Sequence, residues 1–216
     1  MMSRDRRLHG LYAITDARLA AARGLATQVE AALEGGARII QYRDKGSDRP
    51  RRLREAETLR QLTERYRALL IINDDVELAH QCGADGVHLG RDDITLPEAR
   101  QRLGTGAIIG VSCYNRLELA LQAGRLGADY VAFGRFFSSR IKPEAVQAEA
   151  QLLRQARQHL QLPLVAIGGI TPENGRQLIE AGADMLAVIH AVFGQPDIRL
   201  ACTQLQTIFL PEKISS

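Results

Sequence analysis

Four Gly-Ala steps, each followed by Asp or Arg and a short apolar run, recur along this chain. They are Gly36-Ala37-Arg38-Ile39-Ile40, Gly83-Ala84-Asp85-Gly86-Val87, Gly127-Ala128-Asp129-Tyr130-Val131 and Gly182-Ala183-Asp184-Met185-Leu186. The Gly-to-Gly intervals are 47, 44 and 55 residues, too long for one supersecondary unit and suited to two strand-plus-helix units. Each Gly follows a helix-like stretch and suits the left-handed position that ends a helix. The apolar run after it reads as the start of a buried strand. Midway between the repeats lie four more apolar runs, at 11–15, 69–73, 108–112 and 164–168, which brings the expected strands to eight.

The intervening segments carry helix periodicity. Over 50–67, Leu53, Ala56, Leu59, Leu62 and Tyr66 recur three or four apart while Arg51, Arg52, Arg54, Glu55 and Arg60 fall elsewhere, so one face is apolar and the other solvated. Pro50, Pro97, Pro172 and Pro196 stand where helices are expected to begin. Strict alternation of eight strands and eight helices in 216 residues predicts an α/β protein, a compact (β/α)8 TIM barrel. A doubly wound open sheet is the competing topology. The expected domain is single, 1–216, with short flexible ends at about 1–9 and 211–216.

Composition narrows the function. The 45% hydrophobic content fills one sizeable core, and no Pro/Gly/Ser linker divides it. Residues 1–10 are basic and polar without the apolar segment of a secretory signal, and no apolar run approaches the roughly 20 residues of a membrane span. A cytoplasmic protein that avoids membranes is expected. Cys82, Cys113 and Cys202 are odd in number and far apart, so they read as reduced, mostly buried thiols rather than a disulfide frame or zinc cluster. The net charge of +3 is modest and the cations are not gathered with aromatics, which argues against nucleic acid. A homo-oligomer is compatible with all of this. Of 28 basic residues only Lys45, Lys142 and Lys213 are Lys. Lysines kept after the second and sixth strands of an arginine-rich chain suit compact ammonium groups at a phosphate site; ordinary surface lysines are the plainer alternative.

In such barrels the active site forms at the C-terminal strand ends. The second strand ends in Gln41-Tyr42-Arg43-Asp44-Lys45, with Gln41, Arg43 and Lys45 on one side of an extended chain as an anion grip. A structural ion pair of Arg43 with Asp16 or Asp44 is the competing reading. The third strand ends in Asn73-Asp74-Asp75, and the fourth leads through His88 to Asp92-Asp93. Carboxylates on these adjacent loops suit Mg²⁺ sharing phosphate oxygens with a substrate; Asp75 and Asp92 also read as helix caps. Ser112 ends the fifth strand, and Ser138-Ser139-Arg140-Ile141-Lys142 follows the sixth. Gly168-Gly169 after the seventh, and Ile189-His190 after the eighth, read as the usual monophosphate site. Two anion sites in one pocket imply phosphorylated small molecules as partners and a transferase from which diphosphate leaves, driven by electrostatic stabilisation. His88 is expected within the barrel layer, held by hydrogen bonds; His9, His80 and His159 read as exposed.

Together these motifs resemble the thiamine phosphate synthase family over about 11–193. The resemblance rests on Leu11-Tyr12-Ala13-Ile14-Thr15-Asp16, Gln41-x-Arg43-x-Lys45, Ile72-Asn73-Asp74, Gly86-Val87-His88-Leu89-Gly90, Gly110-Val111-Ser112 and Ala166-Ile167-Gly168-Gly169-Ile170. It implies joining of 4-amino-5-hydroxymethyl-2-methylpyrimidine diphosphate to a thiazole phosphate (4-methyl-5-(2-phosphoethyl)thiazole, or its carboxylated form), giving thiamine monophosphate and diphosphate by a dissociative, carbocation-like route. By position it gives Gln41, Arg43, Lys45, Asn73, Ser112 and Lys142 to the pyrimidine diphosphate, with Arg43, Ser112 and Lys142 catalytic. Asp74 and Asp93 go to Mg²⁺, and Ser139, Ile141, Gly169, Ile189 and His190 to the thiazole phosphate side. The family usually has Pro-Thr-x-Thr-Lys where this chain has Ser138-Ser139-Arg140-Ile141-Lys142, and Ser where His190 stands. A thiazole tautomerase-like enzyme and a non-catalytic phosphate-binding, regulatory barrel are the alternatives; the first is disfavoured by the intact Gln-x-Arg-x-Lys and Asn-Asp features.

Overall fold

Eight parallel strands pair in sequence order and close when the eighth bonds to the first. They are β1 (Gly10–Ile14), β2 (Ile39–Tyr42), β3 (Leu69–Asn73), β4 (Gly86–Leu89), β5 (Ile108–Tyr114), β6 (Tyr130–Gly134), β7 (Leu164–Ile167) and β8 (Met185–Val188). The helices are α1 (Ala17–Ala20), α2 (Leu25–Glu34), α3 (Arg49–Arg65), α4 (Val76–Gln81), α5 (Leu96–Leu103), α6 (Leu117–Arg125), α7 (Ala150–His159), α8 (Arg176–Glu180), α9 (His190–Phe193) and α10 (Ile198–Gln206). These elements belong to a computed structural model that describes residues 6–20, 23–137 and 148–210. None of the described helices is long and apolar enough to cross a membrane.

Period-2 alternation sorts every strand into two faces. Leu11, Ala13, Ile40, Leu70, Ile72, Val87, Ile109, Val131, Phe133, Ala166 and Leu186 face the helices and join their apolar stripes in the larger core. Tyr12, Ile14, Ile39, Leu69, Ile71, Ile108, Tyr130, Ala132, Val165, Met185 and Ala187 fill the barrel interior. Leu8 packs into that interior cluster at 4% exposure, so ordered packing starts ahead of β1, inside the end expected to be flexible. Residues 1–5 and 211–216 of the expected flexible ends lie outside the described residues.

The Gly-Ala-Asp repeat has a structural purpose. Gly36, Gly83, Gly127 and Gly182 have φ of 98, 64, 87 and 112°, the left-handed turn that reverses the chain from helix to strand. Each Asp that follows bonds the first amides of the preceding strand: Asp85 Oδ2 accepts from Leu70 N–H at 2.9 Å, Asp129 Oδ2 from Ile109 at 2.8 Å and Asp184 Oδ2 from Leu164 at 2.8 Å. An arginine from the helix ahead of that strand, on α3, α5 or α7, caps each carboxylate: Arg60 on Asp85 at 2.8 Å, Arg100 on Asp129 at 2.6 Å, and Arg157 on Asp184. These anchors sit at the N-terminal strand ends, where barrels place stability rather than chemistry.

Helix starts only partly follow the proline signals. Pro50 and Pro97 occupy the first turns of α3 and α5. Pro172 instead enters the turn before α8, and Pro196 precedes Asp197, whose side chain caps α10 by accepting from Leu200 N–H at 2.9 Å. Asp75 caps α4 as expected, but α5 is capped by Thr95 with Glu98 in a capping box, not by Asp92. Strand β5 runs two residues past Ser112, through a register shift that ends at Tyr114 with φ 53°. Such a bulge turns the strand end and re-aims its side chains.

Candidate active site

A cavity of about 1170 Å³ opens at the C-terminal strand ends. Its wall takes Gln41 and Arg43 from β2 and the residue after it, Asn73 from β3, His88 from β4 and Ser112 and Tyr114 from β5. Arg135 follows β6, Gly168 and Gly169 follow β7, and Ile189 and His190 follow β8. The expected substrate positions Gln41, Arg43, Asn73, Ser112, Gly169, Ile189 and His190 therefore share one cavity. Lys45, Asp74 and Asp93 are not among its lining residues and meet one another at the ends of β2, β3 and β4. Ser139, Ile141 and Lys142 lie outside the described residues.

Neither carboxylate considered as a structural partner takes Arg43. Asp16 accepts from Arg18, through its backbone N–H at 2.9 Å and its guanidinium at 3.4 Å, while Asp44 accepts from Arg51 at 2.7 Å and Gly46 N–H at 2.6 Å. Burial works to raise both carboxyl pKa values, but these hydrogen bonds prevail and hold both below the ordinary range. The backbone N–H of Arg43 donates to Thr15 Oγ1 at 2.9 Å, which ties the loop to β1. The guanidinium has no ion pair among the described residues and faces the cavity, as an anion site requires.

Beside it, Lys45 Nζ donates to Asp74 Oδ2. Asp74 and Asp93 are hydrogen-bonded to each other through their carboxyl groups, and Asp93 Oδ2 also accepts from Gly90 N–H at 2.6 Å. Burial raises the Asp93 pKa and Asp74 raises it further, against Gly90 and Lys45. Two carboxylates so close need a shared proton or a cation. Asp74 has φ 63°, a left-handed conformation uncommon for a side-chain-bearing residue, pinned by its N–H to His88 O at 2.9 Å. The donor set is hard oxygen with two side chains, which fits Mg²⁺, a cation that draws the rest of its shell from water and phosphate.

Inside the barrel mouth runs a chain of polar groups, buried at Gln41, Tyr12 and Tyr130 and half-buried at His88 and Ser112. Gln41 Nε2 donates to Tyr12 Oη at 2.7 Å, and the Tyr12 and Tyr130 hydroxyls are 2.8 Å apart. His88 Nδ1 lies 3.0 Å from Tyr130 Oη, and Nε2 lies 2.8 Å from Ser112 Oγ. The His88 and Tyr130 rings stack at 5.6 Å, and the space they use is left by Gly110, where a Cβ would stand 1.9 Å from the Tyr130 ring. Burial lowers the His88 pKa to about 4, with the Asp74 carboxylate opposing, so the imidazole is neutral at neutral pH. Burial also pushes both phenols well above their ordinary value. His88 thus lies in the layer expected of it, and His9, His80 and His159 are exposed.

On the opposite side, Gly168 and Gly169 have φ of 106 and 64°. Asn174 braces this turn, accepting from Thr171 N–H at 2.8 Å and donating to Gly169 O at 3.0 Å. The first turn of α9 has no side-chain cap, so its N–H groups are available to an anion. The sequence reading passed over Tyr12, Tyr130, Tyr114 and Arg135. For the two buried tyrosines a signal existed: a phenol at an inward strand position needs a hydrogen-bond partner.

Residues 11–192 match the thiamine monophosphate synthase family. The thiamine-phosphate synthase of Nitrosococcus oceani is 54% identical over 202 residues, spanning 94% of this chain and 93% of its own. That of Alcanivorax borkumensis is 52% identical over 206 residues, spanning 94% and 95%. A solved structure of thiamine phosphate pyrophosphorylase from Pyrococcus furiosus superposes with a TM-score of 0.86 at 39% identity, covering 94% of this chain and 96% of that one. On sequence and fold alike, this chain belongs to the thiamine monophosphate synthase family.

Proposed function

We propose that this enzyme is a transferase that joins 4-amino-5-hydroxymethyl-2-methylpyrimidine diphosphate to a thiazole phosphate, releasing diphosphate and forming thiamine monophosphate. The observation that carries the reading is convergence: Gln41, Arg43, Asn73, Ser112, Gly169, Ile189 and His190 line one cavity, in a chain of this family. A single barrel domain supplies both ends of the site. The three buried, unpaired cysteines support a reducing, cytoplasmic setting.

Arg43 and Lys45, with Lys142, bind the diphosphate and accept the negative charge that grows on it as the C–O bond breaks. Gln41, Asn73 and Ser112 hold the aminopyrimidine, whose ring spreads the positive charge left on the methylene carbon. The Gly168-Gly169 turn and the start of α9, with Ile189 and His190, hold the thiazole phosphate so that its ring nitrogen donates its lone pair to that carbon. Asp74 and Asp93 would hold Mg²⁺, which supplies charge neutralisation to the departing diphosphate. No protein nucleophile is needed, and the rate comes from donors fixed before the charge develops. Removal of one such donor typically lowers the rate by roughly 100- to 1000-fold.

The test is turnover with both substrates and Mg²⁺, measuring thiamine monophosphate and diphosphate together. Equal amounts are expected. Diphosphate without coupled product would place the fault at the acceptor side, where Ile141 and His190 depart from the family pattern. Isomerisation of a thiazole phosphate with no diphosphate chemistry would replace the proposal with the tautomerase reading.

A further inference from the structure

The hydrogen-bond chain joins Gln41 to Ser112 through Tyr12, Tyr130 and His88, and every member but Tyr130 borders the cavity. Its protons can be counted. Each hydroxyl carries one, and a neutral imidazole carries one on either nitrogen. Tyr12 is 1% exposed and its hydroxyl meets only Gln41 and Tyr130 among the described residues. It already accepts from the Gln41 amide. Were Tyr130 also to donate to it, the Tyr12 proton would be left at a 1% exposed site with no acceptor among the described residues, an arrangement that folded proteins avoid. The Tyr12 proton therefore goes to Tyr130, and the Tyr130 proton goes to His88 Nδ1. The single imidazole proton is left on Nε2, aimed at Ser112 Oγ. Ser112 accepts it and keeps its own proton for the cavity.

We propose that His88 is a positioning residue, held as the Nε2–H tautomer by the Tyr12–Tyr130 pair, and that it fixes Ser112 as a hydrogen-bond donor while Gln41 presents its carbonyl oxygen as an acceptor. The proposal rests on the synthase reading for the identity of the ligand. It adds what that site selects: a heteroaromatic edge with an accepting ring nitrogen beside a donating amine, as an aminopyrimidine has. An oxo analogue reverses that pattern, with a ring N–H beside a carbonyl, and would face donor to donor and acceptor to acceptor. Buried polar groups left mismatched in this way discriminate far more strongly than a change of volume.

The direction of the chain is set at Gln41. A carboxylate there can only accept, so Gln41→Glu should turn every bond around and move the imidazole proton to Nδ1. Long-range proton–nitrogen NMR on the full-length ¹⁵N-labelled chain reads the tautomer directly, with His88 assigned by the signals lost in His88→Gln. We expect a protonated Nε2 and bare Nδ1 in the native protein, reversed in Gln41→Glu. A native Nδ1–H form, a mixture, or one tautomer in both proteins would overturn the proposal. Kinetics supply the second arm: Tyr130→Phe should lower kcat/KM for the pyrimidine diphosphate about tenfold, the worth of one hydrogen bond, and have no further effect in a Ser112→Ala background. Losses that simply multiply would show that the chain does not act through Ser112. The tautomer is read without turnover, so a failed synthase assay and a failed His88 assignment are separate results.

Discussion

Asp74 and Asp93 come from the loops after β3 and β4, and their carboxyl groups hydrogen-bond each other beside the Lys45 ammonium. Two acids in one place are unfavourable unless a proton or a cation stands between them. Asp93→Asn removes that conflict and can keep the bond from Gly90 N–H through its amide oxygen. Without added metal the variant should be more stable than the native protein by about 1 kcal/mol, or roughly 2–4 °C in melting temperature. Its turnover should fall and be partly restored by extra Mg²⁺. A native Mg²⁺ dependence in the variant would remove Asp93 from the metal site.

The opposite end of the barrel should behave in the reverse way. Asp129 Oδ2 accepts from Ile109 N–H and from Arg100, at the foot of β5 and β6. Asp129→Ala leaves a strand amide and a guanidinium without their acceptor, at a cost of about 1–3 kcal/mol. The site lies at the other strand ends, so kcat and KM at a temperature where the variant is folded should match the native values. Denaturant melts and steady-state kinetics on the same preparation separate the two effects; a large fall in kcat would mean the anchor shapes the cavity.

The repeat made the barrel legible because a left-handed Gly and a strand-anchoring Asp are both local requirements with fixed spacing. All eight strands appear where the apolar runs predicted them, and β3 matches residue for residue. Pro172 misled because a proline also suits a plain turn, and the end of β5 was missed because a bulge leaves no mark in hydrophobic alternation. Of the site, the charged strand ends at Arg43, Lys45, Asp74 and Asp93 were readable, since charges at the ends of buried runs demand partners. The Tyr12–Tyr130 link was not, because in a strand both tyrosines read as apolar filling. Their pairing depends on β1 and β6 facing each other across a closed barrel, which no local pattern contains.

Gly110 tests how tightly that interior is fitted. A Cβ there would lie 1.9, 2.3 and 2.4 Å from three carbons of the Tyr130 ring. The ring cannot yield without leaving His88, against which it stacks, or Tyr12, to which it bonds. Gly110→Ala should therefore destabilise the fold by about 1–3 kcal/mol, the usual range for overpacking. It should also lower turnover, because Ser112 loses its fixed partner. An alanine variant with native activity and melting temperature would mean that the interior relaxes around the added methyl.

Stability should fall on the alkaline side, and the direction follows from buried thiols and phenols, Cys113, Cys202, Tyr12 and Tyr130 with Cys82 and Tyr42 shifted the same way. Burial raises Cys113 and Cys202 from about 9 to about 12, and raises Tyr12 and Tyr130 well above 10. Once unfolded, the thiols ionise near 9 and the phenols near 10, while the folded chain keeps those protons. The folded state then binds more protons than the unfolded one, and unfolding becomes more favourable as pH rises. The stabilisation is intact below about pH 8.5 and declines above it, by up to about 1.4 kcal/mol per pH unit for each such group. Urea midpoints measured across this range should be level and then drop, with the thiols also resisting alkylation in the native state. Between the thiol and phenol onsets the slope belongs to the cysteines, so replacing Cys113 and Cys202 by Ala should reduce that part alone, leaving the share of Cys82. An unchanged slope there would show that these thiols keep their protons no better in the fold than out of it.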